Sequence, residues 1–203
     1  MQPNETSQQA EMERGFAMGK HVVLRPVLEK DLPELAKLLA ADPCDEKPQP
    51  WTLARLKKLY EDKEKDDSGL WSKAKRYFAV VRKTGGLVGF LKESEDWGAG
   101  FFWNRLQLAE TLDDRDQLGR DAIAAYVAYK RKWHNPRRIS FDVLQGEAGL
   151  PDWLAAAGFV LDVTLTHQLQ HAGRPAALSL YAWLSDEIRN NLADDGPVAG
   201  EED

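Results

Sequence analysis

Three side chains in or beside predicted strands are of types that can exchange a proton during catalysis. Asp142 lies in the segment RISFDVL among apolar neighbours; if it faces a cleft, desolvation should raise the pKa of its carboxyl group. Its other interpretation is the solvent face of an alternating strand. His167, in the middle of LTHQLQ, is either a base or a hydrogen-bonded sheet residue. Glu110 follows a predicted strand and is either a base or the start of a loop.

The composition is that of one globular domain. The chain has 203 residues, 43% of them hydrophobic, which is enough for one core and too few for two. Cys44 is the single cysteine, so an internal disulfide and a cysteine-built metal site are excluded, and we expect no metal. The polar start MQPNETSQQAEMER does not resemble a secretory signal and no apolar stretch is long enough for a membrane span, so we expect a cytoplasmic protein.

The formal net charge of −6 bears on partners. A net acidic surface attracts cationic small molecules or basic peptides and argues against nucleic acid. The basic segment KRKWHNPRR does not reverse this, because it straddles a predicted helix end. No membrane partner is expected, and a monomer and a homodimer both remain open.

Apolar periodicity predicts an α+β fold with α/β/α layers. We expect a mixed, mostly antiparallel sheet of six to seven strands flanked by about four helices, over one domain at 19–186 between flexible tails at 1–18 and 187–203. The predicted strands are His21–Val27, Tyr77–Arg82, Leu87–Lys92, Gly98–Ala109, Arg138–Leu144, Phe159–Gln170 and Ala176–Leu184. The predicted helices follow Asp31 and Thr52, run from about Leu118 to His134, and cover Pro151–Ala157.

Four short segments follow one another along the predicted domain: VVLRPVLEKDLPEL, GGLVGF, LAAAGFV and the last hairpin HQLQHAGRPAALSLYAWL, which contains Tyr181. In this order they resemble the GNAT acyltransferases, in particular the Rim-type branch that acetylates ribosomal-protein N-termini. The resemblance covers essentially the whole domain. It implies the GNAT fold, acetyl-CoA as co-substrate and acetyl transfer to a primary amine.

The same resemblance implies a loop that binds the cofactor pyrophosphate at a helix start, where free amides and the helix dipole favour an anion. The family pattern is Gln or Arg, two residues, Gly, one residue, then Gly or Ala; it falls on 114–119, where only Gly119 conforms. The loop is therefore degenerate, and Gly119 is otherwise an ordinary helix-start glycine. The implied cofactor-binding residues are Leu108, Ala109, Arg115, Gln117, Leu118, Gly119 and Arg120.

The family's proton-transfer residues do not map onto suitable side chains. Its strand glutamate falls on Trp103 or Asn104 and its helix tyrosine on Leu154. Glu110, Asp142 and His167 are therefore the candidate substitutes. We expect an N-acetyltransferase that acts by direct attack in a ternary complex on a small cationic amine or a protein N-terminus. The alternative is a non-catalytic member that binds acyl-CoA or a partner protein.

Overall fold

The computed structural model describes residues 17–42, 51–61, 75–96, 100–171 and 174–194. Within them, eight strands form one sheet in the order β1-β2-β3-β4-β5-β6-β8-β7. Every neighbouring pair is antiparallel except β5 and β6, which are parallel. The strands are β1 Ala17–Met18, β2 Val22–Pro26, β3 Lys75–Arg82, β4 Leu87–Asp96, β5 Phe101–Leu108, β6 Arg138–Leu144, β7 Val160–His171 and β8 Arg174–Leu184.

Five helices accompany the sheet in the described part of the chain. They are α1 Leu32–Ala41, α2 Leu53–Glu61, α3 Arg115–Trp133, α4 Leu150–Ala156 and α5 Asp186–Asp194. Helices α1 and α2 pack their leucines on one face of the sheet, against Tyr77, Ala79 and Phe90. Helices α3 and α4 cover the other face, where Tyr126 and Trp153 join the larger core. The layered mixed sheet predicted from the sequence is therefore confirmed.

Alternation along β5 explains how one strand serves both layers. Phe102, Leu106 and Leu108 are about 1% exposed and belong to the core under α3. Because successive side chains point to opposite faces of a strand, Trp103, Arg105 and Gln107 face the side of α1. Polar side chains therefore line the α1 face of β5, and this face carries the candidate site.

The structure differs from the sequence prediction mainly at element ends. Strand β1 pairs with β2 inside the segment expected to be a tail, which brings the strand count to eight. Helix α3 begins at Arg115, three residues before the predicted start, and α5 covers much of the acidic segment expected to be a tail. Gly98 and the remainder of the two predicted tails lie outside the described residues.

The turn between β3 and β4 shows why its sequence predicts a hairpin. Gly85 and Gly86 have φ angles of +103° and +89°, which residues with a side chain rarely adopt. The predicted hairpin turn at 83–86 is thereby confirmed. None of the described helices is both long and apolar enough to cross a membrane.

Candidate active site

Strands β5 and β6 separate part-way along their length. Their parallel pairing runs from Phe101 opposite Arg138 to Asn104 opposite Phe141. Beyond that pair, β5 continues to Leu108 and β6 to Leu144 with no further register between them. A gap therefore opens between the carboxyl ends of two adjacent parallel strands, a place where open sheets with helices on both faces commonly bind ligands.

A cleft of about 400 Å³ lies at this gap. The end of α1, the end of β5, the start of α3 and the loop between β6 and α4 all contribute to it. Its lining residues are Ala41, Gln107, Glu110, Arg115, Leu144, Gln145, Gly146, Glu147 and Ala148. The lining is polar, with two carboxylates and one guanidinium, so the cleft suits a polar or charged ligand more than an apolar one.

Asp142 is the first residue of β6 beyond the last pair with β5. Since Phe141 faces the core under α3, Asp142 faces the α1 side, the same side as the cleft residue Leu144. Burial raises the pKa of the Asp142 carboxyl, whereas Arg105 and Lys92 lower it and Asp42 raises it further. Its carboxylate has no hydrogen bond from any described residue. Asp142 is thus a titratable group beside the cleft. The direction of its pKa shift is the one that the sequence predicts for a cleft-facing position.

Arg105 joins the elements around the gap. Its side chain is 4% exposed, and Nη1 donates to Glu147 Oε2 at 2.6 Å and to the Asp142 carbonyl at 3.1 Å. Nε donates to Asp42 Oδ1 at 3.2 Å, just after α1 ends. Glu147 Oε2 also accepts from the Leu144 amide at 3.1 Å. One guanidinium therefore ties α1, β6 and the cleft loop to β5.

The start of α3 packs against α4. A Cβ on Gly119 would lie 2.3 Å from Cε3 of Trp153, so the indole occupies the space that a side chain would need. Trp153 Nε1 donates to Asp116 Oδ1 at 3.1 Å, and the Arg115 guanidinium lies 5.0 Å from the indole ring centre. The absence of a side chain at position 119 is explained by this contact, whatever the loop binds.

Charges beside this helix start are partly compensated. Asp114 forms an ion pair with Arg82 of β3. Arg115 Nη1 donates to the Ala148 carbonyl at 3.0 Å, which connects the helix start to the loop after β6. Asp114 and Asp116 therefore have partners, and Arg115 remains at the cleft wall as its guanidinium.

Comparison with solved structures identifies the architecture. The chain resembles a spermidine N-acetyltransferase from Vibrio cholerae, solved with CoA and spermine, with a TM-score of 0.68 and 19% identity over 80% of this chain and 95% of that one. It also resembles a GNAT-family acetyltransferase from Bacillus anthracis, with a TM-score of 0.65 and 13% identity over 83% of this chain and 98% of that one. The chain has the GNAT acetyltransferase fold.

A third solved structure agrees. A Sphaerobacter thermophilus protein described as an acetyltransferase matches with a TM-score of 0.58 and 21% identity, over 86% of this chain and 100% of that one. No protein-family model matches the sequence. No curated protein matches it either. The GNAT fold resemblance read from four short motifs is thus confirmed by three-dimensional similarity.

Two of the predicted site residues, Glu110 and Arg115, line the cleft of this GNAT fold, and Asp142 lies beside it. The side chains of Leu108 and Leu118 are in the core, 1% exposed each. The Ala109 amide donates to the Val88 carbonyl at 2.9 Å. His167 lies in β7, and its side chain is outside the described part of the chain.

The other predicted cofactor-binding residues are not in the cleft wall. The Gln117 side chain lies 3.1 Å from His21, and Arg120 is exposed on α3. Gly119 is buried under Trp153. Any contact of Leu118 or Gly119 with a cofactor would therefore use the backbone, and the roles of all seven residues stay predictions.

Sequence reasoning did not select Arg105, Gln107 or Glu147 as site residues. Arg105 and Gln107 stand in the strand FFWNRLQL, where two polar residues at alternate positions are a signal of a polar strand face. Glu147 lies in the loop after β6. Its partner Arg105 is 42 residues away in sequence, so no local pattern relates the two.

Proposed function

We propose that the chain is an acetyl-CoA-dependent N-acetyltransferase that acts on a primary amine. The observation that carries this proposal is the cleft at the β5–β6 gap of a GNAT fold, with the half-buried Asp142 carboxyl beside it. Support comes from the similar Vibrio cholerae spermidine N-acetyltransferase, which was solved with CoA and spermine. We also assign the protein to the cytoplasm, as the sequence predicts.

On this proposal, acetyl-CoA enters the gap from the carboxyl ends of β5 and β6. The start of α3 supplies backbone amides and the positive end of a 19-residue helix to the pyrophosphate, with the Arg115 guanidinium nearby. Leu108, Ala109, Gln117, Leu118 and Gly119 contribute through backbone groups, and Arg120 adds positive charge. This arrangement replaces the glycine-rich loop that the Rim-type resemblance leads one to expect.

The chemistry needs a free amine at the thioester carbonyl. Asp142 accepts a proton from the substrate ammonium group, and its raised pKa brings the carboxylate closer to the basicity that this transfer requires. The amine nitrogen then forms a bond to the carbonyl carbon, the carbon–sulfur bond breaks, and the nitrogen loses a second proton as the thiolate gains one. Glu110 and His167 are the alternative proton acceptors.

The acceptor is a small cationic molecule or a protein N-terminus. Asp142, Glu110 and Glu147 place carboxyl groups in or beside the cleft, which favours a positively charged amine over an anionic one. The resemblance to the Rim-type branch favours a peptide N-terminus. A monomer or a homodimer suffices for this reaction.

The proposal is tested by binding and turnover measured separately. Acetyl-CoA is titrated while thermal unfolding is followed, and thiol release is then assayed with polyamines, other small amines and N-terminal peptides. Saturable stabilisation together with acceptor-dependent thiol release supports the enzyme. No stabilisation at any acetyl-CoA concentration contradicts it.

A second candidate is a non-catalytic protein that binds acyl-CoA or a partner through the same fold. Two observations favour it. Trp153 packs over the start of α3, and the buried Leu154 stands where the family's catalytic tyrosine would be. Saturable stabilisation by acetyl-CoA without thiol release across the whole amine panel supports this candidate over the enzyme.

A further inference from the structure

Two consecutive side chains of β5 bind the backbone of β6 where the pairing of the strands ends. Asn104 Nδ2 donates to the Ser140 carbonyl at 3.0 Å. Arg105 Nη1 donates to the Asp142 carbonyl at 3.1 Å. Because successive side chains point to opposite faces, β6 is held from both sides of the sheet at the point where it leaves β5.

A buried chain of contacts confines Asn104 from the α3 side. The Tyr126 hydroxyl lies 2.7 Å from Asn104 Oδ1 and 2.5 Å from Glu93 Oε2. Glu93 in turn pairs with Lys130 at 2.7 Å, and neither side chain has exposed surface. The Tyr126 hydroxyl has a single proton, so it cannot donate to Glu93 and Asn104 at once, and the amide is oriented by its nitrogen instead. Asn104 Nδ2 donates to the Ser140 carbonyl at 3.0 Å and to the Phe102 carbonyl at 3.3 Å, while the buried Tyr126 and Glu93 side chains confine the other end of the amide.

Two carboxylates orient Arg105 from the α1 side. Asp42 and Glu147 bind different parts of its guanidinium group, and the side chains of Arg105 and Asp42 are each 4% exposed. A planar guanidinium can hold both carboxylates and the Asp142 carbonyl at once, which a lysine ammonium cannot do in the same geometry. Glu147 then fixes the loop that forms one wall of the cleft.

Stability alone does not explain these groups. Replacing a buried ion pair with apolar residues of similar volume often leaves stability unchanged or raises it, so such pairs are better explained by the arrangement that they specify. We propose that Asn104 and Arg105 are positioning residues that together fix where β5 and β6 separate, and so place Asp142 and Glu147 relative to the cleft. The consequence for acetyl transfer rests on the proposed function, whereas the geometric part does not.

The first experiment compares Arg105→Lys with Arg25→Lys. Arg25 is a matched control, because it is 5% exposed and donates to Asp31 at 2.6 and 2.9 Å on β2, away from the cleft. Both changes keep the charge and lose the guanidinium fork, so both should lower Tm. Only Arg105→Lys should raise the Kd for acetyl-CoA, by about tenfold, measured by calorimetry.

A pH profile of kcat then separates position from charge. Arg105→Lys keeps a positive charge near Asp142, so the pH of half-maximal kcat should stay close to that of the unchanged protein while Kd rises. Equal Kd values for Arg105→Lys and Arg25→Lys would overturn the proposal, because loss of the fork at the gap would then have no special effect.

The second experiment needs neither cofactor nor turnover. Amide hydrogen exchange over residues 138–148 is compared in the unchanged protein, Asn104→Leu, Arg105→Lys and Arg25→Lys. The first two variants should exchange faster in this segment and Arg25→Lys should not. If the protein binds no acetyl-CoA but the exchange pattern is as expected, the proposed function fails and the positioning role stands. Unchanged exchange in both β5 variants overturns that role.

Discussion

A buried ionic group lies on each face of the sheet beside strand β5, and only the group on the α1 side reaches a cleft. On the α3 side, Lys130 pairs with Glu93, and both side chains are completely buried. On the α1 side, Arg105 pairs with Asp42 and with Glu147, whose side chain is 12% exposed and lines the cleft. The Lys130–Glu93 pair is therefore sealed from solvent, although Glu93 also pairs with Arg76, whose side chain is 18% exposed. The Arg105 group is open to the cleft through Glu147.

The two ionic groups therefore have different consequences: the Lys130–Glu93 pair holds its neighbours in place, whereas the Arg105 group lies beside a carboxyl that can titrate. The Lys130 ammonium also lies 3.9 Å from the centre of the Phe102 ring, so its charge is met by a carboxylate and an aromatic face. On the open side, Arg105 uses its donors on other groups and leaves the Asp142 carboxylate without a hydrogen bond from the described residues. The Lys130–Glu93 pair confines Tyr126 and Asn104, whereas the Arg105 group leaves the Asp142 carboxyl able to exchange a proton.

The largest expected effect comes from breaking the sealed pair. Lys130→Met removes one of the two cations that, among the described residues, pair with the buried Glu93 carboxylate, and it leaves Arg76, whose Nη1 lies 3.2 Å from Oε1. The free energy of unfolding should therefore fall by about 3 kcal/mol, the low end for a broken buried pair. Urea denaturation measures it. The double variant Glu93→Gln with Lys130→Met should recover much of the loss, since the charge that remains is on Arg76, whose side chain is 18% exposed and can be hydrated. A single variant that loses less than the double variant would show that the pair does not balance the buried charge.

Removing the open carboxyl should affect catalysis more than folding. Asp142→Asn removes the proposed base and should lower kcat by about 10²–10⁴-fold, measured by thiol release at saturating amine and acetyl-CoA. An unchanged kcat would exclude Asp142 and direct the same test to Glu110 and His167.

The raised pKa of Asp142 also has opposite consequences for activity and stability. Activity should rise as pH increases through this pKa, because the base must be ionised. Folding favours the protonated carboxyl, so its stabilising contribution is present below the ordinary aspartate pKa and is lost as pH rises through the raised one. Asp142→Asn should therefore be the more stable protein at neutral pH, and the advantage should vanish in acid. Thermal unfolding across pH measures it.

Local patterns were sufficient for most of the elements, but for Asp142 they left two alternatives, a cleft-facing base and the solvent face of a strand. Apolar periodicity predicts the strands and helices because each must bury one face, whereas a carboxyl among apolar strand residues has a raised pKa only if it faces a cleft. The Arg105 cluster is different, because its hydrogen bonds join residues 63, 42 and 37 positions apart. Such a cluster follows from the packing of the sheet, which no short segment encodes.

Gly119 shows how one residue type can satisfy two explanations. A glycine at a helix start fits a phosphate-binding loop, and it fits equally a helix on which a large side chain must pack closely. The sequence contains no local sign that Trp153 comes to this position, because α4 reaches α3 only through tertiary packing. The position of the missing Cβ against the indole is what distinguishes the two explanations.

A smaller effect is expected from adding a side chain at position 119, where the Trp153 indole occupies the space of a Cβ. Gly119→Ala places a Cβ 2.3 Å from the Trp153 ring, and such overpacking should lower the free energy of unfolding by about 1–3 kcal/mol. Combined with Trp153→Leu, the same methyl should add little further loss. The Kd for acetyl-CoA should not change, since the Cβ points toward Trp153. A raised Kd with unchanged stability would assign the glycine to the cofactor instead.

The smallest effect should come from the exposed ion pair between the start of β6 and β7. Arg138 pairs with Asp162, but these side chains are 25% and 39% exposed, so water competes with the pair. Asp162→Asn should change the free energy of unfolding by less than about 1 kcal/mol. Its kcat should be unchanged, because Arg138 lies in the part of β6 that still pairs with β5. A clear loss of kcat with intact stability would extend the acceptor site along β6 past Ser140, and the contrast between the two faces of β5 would then begin before the strands separate.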